Sequence, residues 1–273
     1  MTARFDEIAR ETMVNNFAES SFKYNNIAIK DMTVKQIDCK TARPYIATFH
    51  YSKTMPDSSK FIYAGYLGAQ LCGIVVYGMG CGKNQYTAVI PDIKNGEYIE
   101  LTRLWVADDM PKNTESKLIS KSLKLLPPQI KLVVSFADES RGHAGIIYQA
   151  TNWYYIGVNN GGKMLVNKSG IEKHPRIISI YRERHPELKN KDVKFIMELL
   201  GLKYKQGGRK HKYIFLRGTK KERARMFERI KPKIQPYPKT DKPTDKSERD
   251  IIKECATGYG QLSLFNMFQK ETF

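Results

Sequence analysis

No stretch of this 273-residue chain approaches the roughly 18 consecutive apolar residues that a membrane-spanning helix needs, so a membrane partner is not expected. The first residues include Arg4, Asp6, Glu7 and Arg10 and lack the apolar run of a signal peptide, which predicts a cytoplasmic protein. Cysteine is scarce. The four present (Cys39, Cys72, Cys81 and Cys255) show no Cys-x-x-Cys spacing, which argues against a disulfide framework or a zinc site and for a reduced chain. No Gly-x-Gly-x-x-Gly loop occurs, so dinucleotide binding of that type is disfavoured.

Acidic residues are also scarce, but only in one part of the chain. Residues 160–273 hold 28 Lys/Arg against 13 Asp/Glu, a net of +15; residues 1–159 hold 18 against 15, a net of +3. With 41% hydrophobic residues the chain has enough apolar material for a core, so the charge belongs to a folded protein. Such asymmetry points to a polyanionic partner. Aromatics interleave with the cations in Lys203-Tyr204-Lys205 and in Arg209-Lys210-His211-Lys212-Tyr213. That mixture neutralises phosphates and offers rings to an unstacked base. Double-stranded DNA is the expected partner, with Lys203, Lys205, Arg209, Lys210 and Lys212 as candidate contacts.

Residues 100–155 carry the densest chemistry. A strand over 98–106 precedes a polar turn and a helix over 114–126, which Pro127-Pro128 ends. An apolar strand over 132–137 runs into Asp138, a Gly-bounded helix follows over 144–150, and Tyr148 lies ten residues after the aspartate. Ligands of α/β proteins sit at the carboxyl ends of strands and at the helix starts that follow, so two such junctions in succession read as an active site. Elsewhere the pattern predicts helices over 5–18, 42–50 (interrupted near Pro44), 192–200 and 220–230. It predicts strands over 33–37, 60–67, 71–77, 153–158 and 213–216, with a Gly68-Ala69-Gln70 hairpin turn. This order fits an α/β (α+β) fold of the GNAT-like acyltransferase type.

The segments His50-Tyr51-Ser52-Lys53, Glu100-Leu-Thr-Arg-Leu-Trp-Val106, Ser135-Phe-Ala-Asp138 and Gly142-His-x-Gly145-x-x-Tyr148-Gln-Ala-x-Asn-Trp153 together resemble the phage Mu Mom family of DNA-modifying proteins over roughly residues 31–217. That resemblance implies conversion of adenine in duplex DNA to an N6-carbamoylmethyl form, which shields phage DNA from restriction in the host bacterial cytoplasm. It also implies site residues. The family's essential aspartate and tyrosine match Asp138 and Tyr148, its arginine on the fourth strand matches Arg103, and its helix-start serine matches Ser116. Its iron-binding His-Tyr pair, acting with the aspartate, matches His50 and Tyr51. The chemistry is coherent: the N6 amine is a poor nucleophile and must lose a proton, and an Asp, His and Tyr set can hold ferrous iron. Arg103 and the helix start at Asn113–Ser116 suit a phosphate-bearing donor, either acetyl-CoA or another acyl or glycyl donor.

Simpler roles compete for the same residues. Asp138 can be a helix cap, Tyr148 and Trp153 core residues, His50 an ordinary hydrogen-bonded histidine and Ser116 a solvent-facing helix residue. Arg103 can pair with Glu100 or Asp108. The loop expected to cradle a pyrophosphate, Asp108-Asp109-Met110-Pro111-Lys112-Asn113, has no glycine and two acids, which puts ordinary acetyl-CoA binding in question. The Pro-Pro pair lies in Leu-Leu-Pro-Pro-Gln and not in an Asn/Asp-Pro-Pro-aromatic motif, which disfavours methylation. The alternatives are a GNAT-type acetyltransferase acting on a protein or small-molecule amine, and a non-catalytic DNA-binding accessory protein.

The expected organisation is a helical segment (1–30), a catalytic domain (31–217) with a basic insertion at about 160–207, a basic helix (218–230), a Pro/Lys-rich linker (231–255) and a tail (256–273). Within the tail, Gln261-Leu262-Ser263-Leu264-Phe265 resembles the pentapeptide that docks on the bacterial sliding clamp. Gln261, Leu262, Leu264 and Phe265 are its expected contacts, with packing on the chain's own domain as the alternative.

Overall fold

The apolar alternation of the strands builds one large sheet. A computed structural model describes residues 29–238, apart from 171 and 174–176; the expected helix at 5–18, most of the linker and the tail motif lie outside the described residues. The strands are β1 (Thr33–Gln36), β2 (Ser59–Leu67), β3 (Gln70–Gly78), β4 (Tyr98–Val106), β5 (Leu132–Asp138), β6 (Tyr154–Asn159) and β10 (Lys210–Leu216), in the order β1-β2-β3-β4-β5-β10-β6. Every neighbouring pair is antiparallel except β4 with β5. β3 and β5 lie inside the sheet and are largely apolar on both faces, as buried strands are, whereas β4 between them also carries Glu100, Thr102 and Arg103. Among the described residues no helix is long and apolar enough to cross a membrane.

Each face of the sheet has its own core. On one face α1 (Cys39–Phe49) and α3 (Thr114–Leu125) bury Ile46, Leu118, Ile119 and Leu123 against Val75, Ile99, Leu101 and Val133. This core also takes in Tyr148, Trp153 and Tyr213 from the region of α4 (Ile146–Gln149) and β10. On the other face the segment around α2 (Asn84–Thr87) and α7 (Lys220–Ile230) bury Tyr86, Val89, Ile90, Met226 and Ile230 against Tyr98, Leu132, Val134 and Ile214. Alternation along β4 and β5 therefore assigns each residue to a face. Side chains of this size stabilise by about 1.5–3 kcal/mol each when fully buried. The seat of α3 depends on Gly65 and Gly73, which pair across β2 and β3. A Cβ at Gly65 would lie 3.0 Å from Leu118 Cδ1, and one at Gly73 would lie 2.7 Å from the Trp105 carbonyl oxygen.

The insertion is a folded unit placed between β6 and β10. It contains β7 (Lys163–Val166), β8 (Glu172–Lys173) and β9 (Lys203–Gln206) in the order β8-β7-β9, with α5 (Ile177–Arg184) and α6 (Val193–Leu199). Leu165, Ile178, Ile196, Met197 and Leu202 form its core. Its cations decorate a small α+β unit.

Three expectations change. Pro44 does not end α1, which runs from Cys39 to Phe49 behind an Asp38 cap, although as the sixth helical residue it removes one i→i−4 hydrogen bond. The helix expected at 144–150 shrinks to one turn, because Gly142 and Gly145 adopt left-handed φ values of 73° and 76°. β10 begins at Lys210 and not at 213, its charged first residues having the look of a loop in the sequence.

Candidate active site and nucleic-acid face

Parallel β4 and β5 pair only at their beginnings, through Tyr98–Leu132, Ile99–Val133 and Glu100–Val134. Beyond Glu100 each strand keeps only its outer neighbour, β3 or β10, so the sheet splits. β4 also carries a bulge: Val76 faces Arg103 while Tyr77 faces Leu101, leaving Thr102 as the extra residue.

Tyr148 stands on the α3 face beside this split. Its hydroxyl lies 2.8 Å from Ser135 Oγ, and Ser135 Oγ lies 2.9 Å from the Leu101 carbonyl oxygen, so Ser135 bridges the two parting strands. Trp153 and Tyr213 pack around the Tyr148 ring, with centroids 5.1 and 5.2 Å away. Burial raises the phenol's pKa above the usual tyrosine value, so it remains a neutral proton donor. Tyr148 is thus a core residue and a polar wall of the split at once.

Arg103 holds the loop after α1. Its Nε donates to the Thr54 carbonyl at 3.0 Å, its Nη2 to Thr54 Oγ1 at 3.3 Å and its Nη1 to the Thr102 carbonyl at 2.7 Å. In that loop, His50 Nδ1 accepts the Ser52 backbone N–H at 3.1 Å and lies 2.9 Å from Ser52 Oγ. Burial, then the charges of Arg103, Lys53 and His143, push the imidazole pKa down to about 4. The ring is therefore neutral with its proton on Nε2. The Tyr51 ring lies 4.3 Å from His50 and 6.3 Å from His143, with the Arg141 guanidinium 5.1 Å above it.

This donor set does not fit iron. With Nδ1 engaged as an acceptor, Nε2 carries a proton and offers no lone pair to a metal. Asp138, the third expected ligand, is committed elsewhere: its Oδ1 accepts from Ser140 N at 3.0 Å and Ser140 Oγ at 2.6 Å, capping the Glu139–Arg141 turn. Among the described residues no group of three or more His, Cys, Asp and Glu side chains is placed to hold a metal ion. Nothing among the described residues supports the iron expectation at His50, Tyr51 and Asp138.

Asp138 and Tyr148 also leave the sheet on opposite faces. Val133, Ala137 and Tyr148 belong to one core, Val134 and Phe136 to the other, so alternation puts Asp138 with Phe136, facing away from Tyr148. Its register partner on β10 is Lys210. The capping role is realised, and the two residues flank the split from opposite sides.

At the start of the twelve-residue α3, Asn113 adopts φ 71° and makes no side-chain cap, and the positive end of the helix dipole lies there. Ser116 Oγ donates back to the Asn113 carbonyl at 3.0 Å, so its hydroxyl serves the helix start. Glu115 in the first turn opposes an anion there. Sequence reasoning missed one residue with the marks of function, Glu100, whose Oε2 is buried without a hydrogen-bond partner. The signal was a carboxylate flanked by Ile99 and Leu101 near the start of β4.

The expected DNA contacts divide. Lys203 and Lys205 are exposed on β9, an edge strand of the small sheet. Lys210 is exposed where β10 begins, and exposed Arg209 lies 3.2 Å from the Glu139 carboxylate. Lys212 does not belong with them. It is 7% exposed, its Nζ donates to the Gln85 carbonyl at 2.6 Å and to Gln85 Oε1 at 3.0 Å, and burial lowers its pKa. It ties the α2 segment to β10 and does not reach a phosphate.

The profile of the Mom protein family matches residues 31–239. The methylcarbamoylase Mom of Escherichia phage Mu is 40% identical over 131 residues, 47% of this chain and 54% of that protein, so the match spans about half the relative's length. Among solved structures, a GNAT family acetyltransferase from Elizabethkingia anophelis with acetyl-CoA bound aligns with a TM-score of 0.37 and 13% identity, covering 68% of this chain and 98% of its own. An aminoglycoside acetyltransferase in complex with coenzyme A aligns with a TM-score of 0.41 and 11% identity, covering 74% and 99%.

Proposed function

Since the chain belongs to the Mom protein family, we propose that it is a DNA-modifying enzyme that converts adenine in duplex DNA to its N6-carbamoylmethyl form and so protects phage DNA from host restriction. The observation that carries this reading is the extent of the family match, which spans the whole seven-stranded sheet, the split and the basic insertion. The phage Mu relative is named a methylcarbamoylase, and a group transfer onto an amine suits the site.

Transfer requires an acceptor, a donor and proton traffic between them. The acceptor face carries the cations Lys203, Lys205, Arg209 and Lys210, which hold the phosphate backbone. On the other face, Arg103 and the start of α3 at Asn113 and Ser116 take the anionic part of an acyl or glycyl donor. Because the product's new N–C bond ends on a methylene carbon, the donor these residues would hold must supply an acetamido (glycyl-type) unit with its leaving group on that carbon. Tyr148, kept protonated by burial and positioned by Ser135, supplies a proton to the leaving group. Iron has no part in this reading.

The tail completes the proposal. Gln261, Leu262, Leu264 and Phe265, outside the described residues, dock on the host sliding clamp and bring the enzyme to newly made DNA. Mass spectrometry of nucleosides from DNA of cells expressing the chain tests the enzymatic reading. Carbamoylmethyl-adenosine supports it; unmodified DNA, or acetylated protein instead, contradicts it.

A further inference from the structure

The loop after α1 holds one aromatic ring in the open: Tyr51 is 53% exposed, while His50 beside it is 5% exposed. The backbone that presents this ring is fixed at several points. The Ser52 N–H donates to His50 Nδ1, the Lys53 N–H donates to the His50 carbonyl at 2.8 Å, and the Lys53 side chain donates to the Thr48 carbonyl. Lys53 takes a left-handed φ of 50°, which a residue with a Cβ keeps only where its surroundings hold it. Arg103 of β4 then clamps Thr54. A large ring exposed on so firmly held a loop is placed to meet something outside the chain.

Tyr51 lies at the mouth of the split. The loop that carries it is held by β4, and the turn after β5 reaches it from the other side. That turn brings the exposed Arg141 guanidinium over the ring, 5.1 Å from its centroid, and His143 to 6.3 Å; the buried His50 ring lies at 4.3 Å. Burial dominates the pKa values of Arg103 and Tyr148, and Tyr51 is among the groups that act on both, so it lies within electrostatic reach of the site. The same turn touches the basic face. The Glu139 N–H donates to the Arg209 carbonyl at 3.0 Å, and the Glu139 carboxylate lies 3.2 Å from the Arg209 side chain. One turn therefore joins the phosphate-binding cations to the ring.

We propose that Tyr51 is the platform on which the target adenine rests after leaving the duplex, with Arg141 closing over the outer face of the base. An adenine inside the duplex is stacked, and it is paired through N6, the atom that must react. A protein that modifies it has to draw it out and hold it. A planar phenol with a guanidinium over it suits that task, because every base offers a π-face and arginine stacks on aromatic rings. The guanidinium moves outward by the thickness of a base as the adenine enters. The inference rests on the DNA-adenine reading above and deepens it: the acceptor is an extruded, unpaired base. Tyr51 acts through its ring and not through its hydroxyl, which sets this role apart from that of a metal ligand.

The test uses a duplex carrying a site that the wild-type chain modifies, and the same duplex with that adenine left unpaired opposite an abasic position. Affinity for both duplexes, melting temperature and the modification rate in a cell extract that supplies the donor are measured for wild type, Tyr51→Ala and Tyr51→Phe. Wild type is expected to bind the unpaired duplex more tightly than the paired one. Tyr51→Ala is expected to lose that preference and to modify the paired duplex roughly 5–150-fold more slowly, the worth of one base stack, with an unchanged melting temperature. Tyr51→Phe, which keeps the ring, recovers most of both losses. The platform is overturned, and the functional reading left intact, by a Tyr51→Ala variant that keeps rate and preference, by a Tyr51→Phe variant as defective as Tyr51→Ala, or by a loss that tracks the folded fraction. A wild-type chain that modifies no adenine overturns both.

Discussion

The hydroxyl oxygens of Ser135 and Tyr148 lie 2.8 Å apart, linking the strand on one side of the split to the short helix beside it. This contact orients a phenol that burial keeps protonated. Tyr148→Phe removes the hydroxyl but keeps the ring against Trp153 and Tyr213. Adenine modification is expected to fall at least 100-fold, with a stability change of about 1 kcal/mol, as for one hydrogen bond. Nucleoside analysis alongside thermal unfolding checks it; near-normal modification would remove Tyr148 from the reaction.

Asp138→Asn separates capping from chemistry. Asparagine still accepts from Ser140, so unfolding free energy should change by less than about 1–2 kcal/mol. Modification is expected to vanish, because the acceptor face loses a carboxylate beside Lys210. Activity that simply follows the folded fraction would leave Asp138 a cap and nothing more.

His50 gives a pH signature. Its pKa is lowered from 6.5 to about 4, so the folded state binds fewer protons than the unfolded chain between those values. Its stabilising contribution is complete above pH 6.5 and is lost as pH falls toward 4. The total is about 2–3 kcal/mol by linkage. Denaturant unfolding of wild type and His50→Gln from pH 7 to pH 4 should show this slope in the wild type and its loss in the variant. Chelators should leave modification unchanged; stoichiometric iron that is lost in His50→Ala would contradict the tautomer assigned to the ring.

The basic residues are distinguishable by salt. Removing Lys203, Lys205, Arg209 or Lys210 should each lower the slope of log affinity against log salt by about 0.9. Lys212→Met should leave that slope unchanged and destabilise the fold by about 1–3 kcal/mol, because the Gln85 carbonyl loses the lysine donor. An unaltered slope in the four-fold variant would move the DNA to another surface.

The boundary between legible and illegible features follows from physics. β4, α3 and α7 were readable from their residue patterns, and the end of α3 from Pro127-Pro128. The first turn of β10 was not, since Lys210-His211-Lys212 has the composition of a loop; it took the sheet to show that Lys212 is buried. The tyrosine and arginine of the site were legible in the motifs. Their faces were not, because whether Asp138 and Tyr148 share a side depends on strand alternation across a split.

The tail makes a self-contained prediction. A peptide of residues 256–273 should bind the host sliding clamp with micromolar affinity, about −8 kcal/mol. Leu264→Ala with Phe265→Ala should abolish that binding, because few residues carry the energy of so short a contact. The same change in the full chain should spare modification of saturating naked DNA and lower it in infected cells. A wild-type peptide that does not bind at high micromolar concentration would make the motif a coincidence.

The central claim is that this sheet, split at Glu100 and Val134, transfers a group to adenine in DNA. Mass spectrometry of nucleosides from the DNA of cells expressing the wild-type chain, beside cells expressing Tyr148→Phe, tests it most directly. N6-carbamoylmethyl-adenosine is expected in the first sample and its near absence in the second. Unmodified adenosine in both samples, from cells that accumulate the folded protein, would contradict it.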